Sequence, residues 1–265
     1  MTSGHHIWSS YAVEGFGATY HQVRPSPPRT LLNLLCRLAR VDRPPLVVDV
    51  GSGTGLSTRA WADAADEVVG VEPNAEMRAA AEADTAYSNV RYVDGYTEAT
   101  GLAEDSADIV TYAQSLHWMD PQPTFAEAAR ILRPGGVLAA YDYELPPAVD
   151  WEVDAAFEYF LLRVAKFRRE RLSIPPAEKT GHVPRMRESG LFRYVRELGV
   201  SAEDAAGAER VVGLALSLGP VGRLLDEGLT EEEIGLAGLR EAAERVLGDR
   251  KVTWTLSYRV RLAVG

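Results

Sequence analysis

The chain is poor in residues that staple or ligate. Its 265 residues include one cysteine, Cys36, and five histidines. A single thiol excludes an intramolecular disulfide and a cysteine-based metal cluster. Cys36 lies among Leu31, Leu32, Leu34, Leu35 and Leu38, a setting that predicts a packed thiol rather than a reactive one. His5 and His6 have no distant partner at ligand spacing, so no metal site is predicted. No run reaches the roughly 18 apolar residues of a membrane-crossing helix. The opening MTSGHHIWSS lacks the basic and then apolar stretches of a signal peptide, so the expected location is cytoplasmic, with no membrane partner. Positive charge is scarce too: 28 Lys and Arg stand against 38 Asp and Glu, a net charge of -10. Such a surface repels phosphate backbones, which argues against nucleic acid as a partner.

What is present is the composition of an ordinary globular chain, 46% apolar and 25% charged, long enough to bury a substantial core. Leucines at helical spacing predict a helix over 30–41, stopped by Arg43-Pro44-Pro45. Leu46 to Val50 is a short continuous apolar run, as in a buried parallel strand. Strands are then predicted at 67–72, 90–93, 107–113 and 137–143, with helices at 56–65, 73–83 and 124–132 between them. This alternation predicts an α/β fold with a Rossmann-like doubly wound sheet, mostly parallel. Beyond it, helices are expected at 151–172, 203–218 and 230–247, the last opened by Thr230 and Glu233 in capping-box spacing. A loop is expected at 173–184, a strand at 192–200 and a closing antiparallel strand at 252–264. The expected divisions are an N-terminal arm and helix (1–45), a cofactor-binding core (46–145), a helical lid (146–190) and a C-terminal completion of the sheet (191–265).

Folds of this kind bind ligands beyond the carboxyl ends of the strands, where strand order reverses. There the sequence reads Val48-Asp49-Val50-Gly51-Ser52-Gly53-Thr54-Gly55. A Gly-x-Gly-x-Gly turn lets the backbone approach a bulky ligand, and the helix after it aims free N–H groups outward. Glu72 ends the second strand about 20 residues on, where an acid accepts hydrogen bonds from both ribose hydroxyls. These features fit any nucleoside cofactor. A nicotinamide fingerprint, however, needs a third glycine three residues after the second, and Leu56 stands there.

At these residues the chain resembles the class I S-adenosylmethionine-dependent methyltransferases. The resemblance covers roughly residues 46–145. It is carried by 47–55 as the cofactor loop, 69–77 as the ribose motif, Asp108-Ile109-Val110-Thr111 as the fourth-strand motif, and 131–138 as the turn into the fifth strand. The segments 95–102 and Gln114-Ser115-Leu116-His117-Trp118-Met119-Asp120, with the arm Tyr20-His21-Gln22-Val23-Arg24-Pro25, resemble the subgroup containing trans-aconitate methyltransferase. The resemblance implies S-adenosyl-L-methionine as cofactor, a small-molecule acceptor, no metal and no fixed catalytic triad. Oxygen is the first expectation for the methylated atom. A non-catalytic protein that keeps the cofactor site for regulation or assembly is the alternative.

The resemblance also implies roles. Gly51, Ser52, Gly53, Thr54 and Pro73 meet the cofactor, Glu72 binds its ribose or is a surface acid, and Asn74 and Met77 flank the adenine, Met77 alternatively packing in the core. Many relatives carry an acid for the adenine amino group; Tyr96-Thr97 stands in its place here. Asp49 either orients the loop or reaches the methionine ammonium through water. Gln114 meets the methionine part. His117 is the candidate general base, its ordinary pKa near 6.5 suiting proton removal; the alternative is a structural histidine in the cofactor or acceptor site. Trp118 either walls the sulfonium or packs. Tyr20 and Arg24 are candidates to close over the cofactor, Arg24 by binding a carboxylate. Tyr141, the second catalytic candidate, and Tyr143 line the acceptor pocket or belong to the core. The basic run 163–171 either attracts an anionic substrate or is a solvated helix face.

Overall fold

A computed structural model describes residues 23–172 and 179–265. Tyr20, His5, His6 and the rest of the predicted arm up to residue 22 lie outside the described residues. Strands β1 (Leu46–Val50), β2 (Glu67–Val71), β3 (Val90–Val93), β4 (Ala107–Ala113), β5 (Leu132–Tyr143), β6 (Tyr194–Ala206) and β7 (Val252–Val264) form one sheet in the order β3-β2-β1-β4-β5-β7-β6. β1 pairs in parallel with both β2 and β4, so strand order reverses between β1 and β4. β5 continues the parallel set, and β7 runs antiparallel to it, Val137 facing Val264 and Tyr143 facing Tyr258. The sheet is therefore the predicted doubly wound one, closed by an antiparallel C-terminal strand.

Burial explains the sequence pattern. Val47 to Val50 and Ala107 to Tyr112 are buried without alternation because both faces of the sheet are covered. In β7, burial alternates over 253–258 and becomes continuous over 260–263, the part paired with β5. Each of these buried aliphatic side chains contributes ~1.5–3 kcal/mol relative to exposure.

Two compact units divide the chain. One comprises 26–143, 177–200 and 257–265. It holds the parallel strands with α1 (Arg29–Ala39), α2 (Leu56–Ala60), α3 (Ala75–Ala83), α4 (Pro121–Ile131) and α6 (His182–Glu188). α1 packs on β4 and β5, and α4 on β5 and α6. Cys36 is buried in α1, as its leucine neighbours predicted. The other unit comprises the described parts of 1–25 and 144–176, and 201–256. There α5 (Trp151–Phe167) packs against α8 (Gly219–Asp226) and α9 (Leu236–Leu247), and α9 against α7 (Ala208–Leu216). The segment expected as one lid, 146–190, is thus shared between the two units.

Several element boundaries differ from expectation. Residues 203–206 continue β6 rather than opening a helix. α7 and α8 are separated at Ser217–Leu218, where Pro220 stands at the start of the second. Residues 182–184 of the expected loop 173–184 open α6, which tolerates Pro184 in its first turn, and 173–178 lie outside the described residues. Thr230 and Glu233 do form the reciprocal pair of a capping box, Thr230 N to Glu233 Oε2 at 2.8 Å and Glu233 N to Thr230 Oγ1 at 3.2 Å. That pair closes a turn, and α9 begins only at Leu236. Among the described residues no helix is long and apolar enough to cross a membrane.

Candidate cofactor and acceptor site

The carboxyl ends of β1 and β2 are tied together at the switch point. Gly51 and Ser52 donate their N–H groups to the carbonyl of Val71 at 2.9 and 3.1 Å. Glu72, fully buried, accepts from Gly53 N at 2.8 Å and from Asn74 N at 2.9 Å, one bond to each carboxylate oxygen. Burial pushes the Glu72 carboxyl above its ordinary value, opposed by these two donors and by Arg78. Each oxygen keeps a lone pair, as an acid gripping a diol requires.

The glycines of the turn have different reasons to be there. At Gly53 (φ +55°) an added Cβ would meet only the sulfur of Met77, at 4.0 Å. The space above that turn is open. At Gly55 (φ +82°) a Cβ would lie 2.2 Å from the Tyr92 hydroxyl oxygen, so this glycine serves close packing. The buried hydroxyl of Ser52 has no hydrogen-bond partner. An open cradle at Gly53 with the Glu72 carboxylate beside it fits an adenosyl group. Asn74, expected near adenine, caps α3: its Oδ1 accepts from Glu76 N and Met77 N at 2.9 and 3.0 Å.

Asp49 is fully buried beneath the turn. Its carboxylate accepts from Thr58 Oγ1 at 2.7 Å, Thr111 Oγ1 at 2.8 Å and Ser57 Oγ at 3.5 Å. Burial outweighs these donors and raises its pKa to about 6. Of its two expected roles, these contacts belong to the one that shapes the loop. Tyr141 joins the same cluster, its hydroxyl 2.7 Å from Ser57 Oγ and buried, with its ionisation pushed far up by desolvation and by Asp49. Its hydroxyl is spent on bracing the loop from within, which belongs to the core one of its two expected readings. Tyr143 is buried as well and packs edge-on against Tyr258, ring centroids 6.0 Å apart, on the core side of its two expected readings.

After β4 the chain turns sharply. Gln114 adopts φ +56° and donates its N–H to the Tyr141 carbonyl at 3.0 Å. A short 3₁₀ turn, Leu116–Trp118, follows. The His117 side chain is only 5% exposed, with Nδ1 3.6 Å from Asp142 Oδ1, too far for a hydrogen bond. Burial lowers its pKa to about 4, with Asp142 opposing, so the imidazole is neutral at pH 7. Trp118 lies against it, centroids 4.8 Å apart at 54°. Tyr96 is exposed, and Thr97 Oγ1 donates to Thr124 Oγ1 at 3.3 Å. Pro73 and Thr54 are half-buried beside the turn, and the Thr54 carbonyl accepts from Arg59 at 2.9 Å. Arg24 belongs to the other unit, where its guanidinium donates to the hydroxyl of Ser217 at 3.1 Å and its carbonyl at 2.7 Å.

Sequence reasoning missed a charged cluster beside His117. Asp142, on β5, bonds through Oδ2 to the buried Arg261 of β7. Arg261 also donates to Glu197 at 3.2 Å and to the Lys179 carbonyl at 2.7 Å. The Lys179 ammonium donates to Gln114 Oε1 at 2.8 Å. The available signal was charge in the wrong place: Asp142 and Arg261 interrupt the otherwise apolar buried stretches 137–143 and 260–263, as charges do only when paired.

The doubly wound sheet with an acid-gripped glycine turn at its switch point defines a nucleoside-binding α/β class. Comparison with known proteins narrows it. Residues 48–140 match a family described as a methyltransferase domain. A probable S-adenosylmethionine-dependent methyltransferase of Saccharomyces cerevisiae is 32% identical over 149 residues, 54% of this chain and 51% of that protein. A malonyl-[acyl-carrier protein] O-methyltransferase of Pectobacterium atrosepticum is 38% identical over 94 residues, 35% of this chain and 36% of that protein. The chain thus spans about half or less of the length of the curated relatives it matches. A solved structure from Anaeromyxobacter dehalogenans, 24% identical, shares the fold with a TM-score of 0.66 over 91% of this chain and 97% of that one. Residues 48–140 thus carry a methyltransferase domain, similar to that of S-adenosylmethionine-dependent methyltransferases.

Proposed function

We infer that the protein transfers a methyl group from S-adenosylmethionine to an oxygen of a small organic acceptor. The observation that carries the reading is the open turn at Gly53 beside the buried Glu72 carboxylate. When bound there, the cofactor supplies a methyl group on a sulfonium that is already a good leaving group. The chain's own residues then have two tasks, positioning and proton control. Glu72 and Pro73 receive the ribose, Gly51 to Thr54 give the backbone room, and Met77, Tyr96 and Thr97 border the adenine. Gln114 meets the amino-acid tail. Trp118 and His117 border the reacting methyl group.

The neutral state of His117 supports oxygen of an acidic group as the acceptor atom. An imidazole with a pKa near 4 is a weak base. It suits an acceptor that ionises by itself, such as a carboxylic acid, better than an alcohol or amine whose proton must be removed. The relative named as a malonyl-[acyl-carrier protein] O-methyltransferase supports the same direction. The net charge of -10 keeps nucleic acid out of the reading.

The test is incubation with methyl-labelled cofactor and a panel of small carboxylic acids, phenols and amines, followed by mass spectrometry. Labelled methyl esters are the expected products. Label on nitrogen or carbon refutes the oxygen assignment. Binding of S-adenosylhomocysteine without turnover of the panel or of a cell extract leaves a non-catalytic binding protein.

A further inference from the structure

We propose that Lys179 is a positioning residue that fixes the Gln114 amide so that its Nε2 donates to the carboxylate of the cofactor's amino-acid tail. The inference rests on the cofactor reading above. It starts from two anomalies on one residue. Gln114 is one of the few non-glycine residues with a left-handed backbone, φ +56°. Its buried Nε2 has no hydrogen-bond partner, although its Oε1 is bonded. Strained backbone and an unused buried donor both oppose folding, and they gather where a ligand repays them.

Lys179 decides which end of the amide is left over. An ammonium has donors and no acceptor, so it bonds only the carbonyl end of a glutamine. At 2.8 Å from Oε1 it blocks the flipped amide, which would set NH₂ against NH₃⁺. Lys179 is itself held by its backbone, because the buried Arg261 donates to its carbonyl at 2.7 Å. The same guanidinium bonds Asp142 Oδ2, while Asp142 Oδ1 lies 3.4 Å from the Lys179 ammonium without a hydrogen bond. The Lys179 side chain remains 42% exposed, so its other donors stay available. The result is an amide N–H and an ammonium joined through one hydrogen bond at the carboxyl end of β4. That donor pair suits a carboxylate. Lys179 falls outside the family match at 48–140, so the methyltransferase motifs do not assign it.

The test compares two probes by calorimetry: S-adenosylhomocysteine, and 5′-methylthioadenosine, which has the same nucleoside and no amino-acid tail. Lys179→Met is expected to weaken S-adenosylhomocysteine at least ~10-fold and to leave 5′-methylthioadenosine within ~2-fold, with Lys179→Arg restoring most of the loss. Gln114→Met is expected to lose the same affinity while melting no lower than wild type, because it removes an unsatisfied buried donor. A Lys179→Met protein that binds S-adenosylhomocysteine like wild type overturns the proposal. So does equal loss for both probes, which signals a general structural defect, and so does a Gln114→Met protein that melts lower with affinity intact. Wild type that binds neither probe refutes the cofactor reading itself, and the inference with it.

Discussion

Gly53 donates its backbone N–H to the carboxylate of Glu72 at 2.8 Å, so the acid that ends β2 also clamps the turn that follows β1. One side chain therefore shapes the cradle and faces its contents. Removing it leaves the N–H groups of Gly53 and Asn74 without their acceptor. Glu72→Ala is expected to weaken S-adenosylhomocysteine at least ~10-fold, ~1.4 kcal/mol, and to cost ~1–3 kcal/mol of stability. Calorimetry and urea unfolding measure the two losses. Unchanged affinity would refute the ribose contact.

Gly53 and Gly55 separate binding from folding. Both have positive φ, so either alanine adds ~1 kcal/mol of backbone strain. Gly55→Ala must also displace the Tyr92 hydroxyl, which is bonded to Thr85 at 3.0 Å. It should melt clearly lower than Gly53→Ala. Gly53→Ala fills space that the cofactor occupies, so its affinity should fall further than that of Gly55→Ala. The reverse order in both assays would mean that the cradle is misplaced.

Two buried titrating groups bias stability in opposite directions. Asp49 is raised from 3.8 to about 6 in the folded protein, so the folded state holds a proton that the unfolded chain has released. Its contribution makes stability fall by ~3 kcal/mol as pH rises through that window. His117 is lowered from 6.5 to about 4, so the unfolded chain takes up a proton first. Its contribution is fully present above 6.5 and is lost, by ~3 kcal/mol, as pH falls to about 4. The two oppose each other, so wild type should show a shallower profile between pH 4 and 6.5 than Asp49 alone would give. Substituting His117→Asn leaves the Asp49 slope exposed, with stability decreasing as pH rises. Chemical unfolding of both proteins across this range measures it. Parallel profiles would show that His117 is not held neutral.

Tyr141→Phe tests whether the second catalytic candidate acts only through packing. Its hydroxyl bonds Ser57 under the loop. Loss of that bond should cost ~1 kcal/mol of stability and leave methyl transfer within ~3-fold in kcat. A fall of 100-fold with normal cofactor affinity would restore Tyr141 to the chemistry.

The central sheet was legible because its strands obey a strong local rule. A strand covered on both faces must be apolar throughout, and β1 and β4 read that way before any coordinates. The glycine turn and Glu72 were legible because a close backbone approach and a ribose contact constrain residue types at fixed spacing. The segments beyond residue 145 were read less well. Glu203 to Ala206 suits a helix by composition yet extends β6, since pairing with a neighbouring strand overrides propensity. Pro184 hid α6, because a proline signals a break unless it falls in the first turn.

From its sequence alone this protein was bound to a doubly wound sheet and a nucleoside cradle at the switch point, because periodicity and glycine spacing act over a few residues. Tertiary structure decided which polar groups work as braces and which face the site. Asp49, Ser57, Thr58, Thr111 and Tyr141 became a buried support, while Gln114, Lys179, Asp142 and Arg261 met from four separate segments. Such meetings cannot be read locally: burial sets the strength and pKa of each group, and burial is a property of the packed chain.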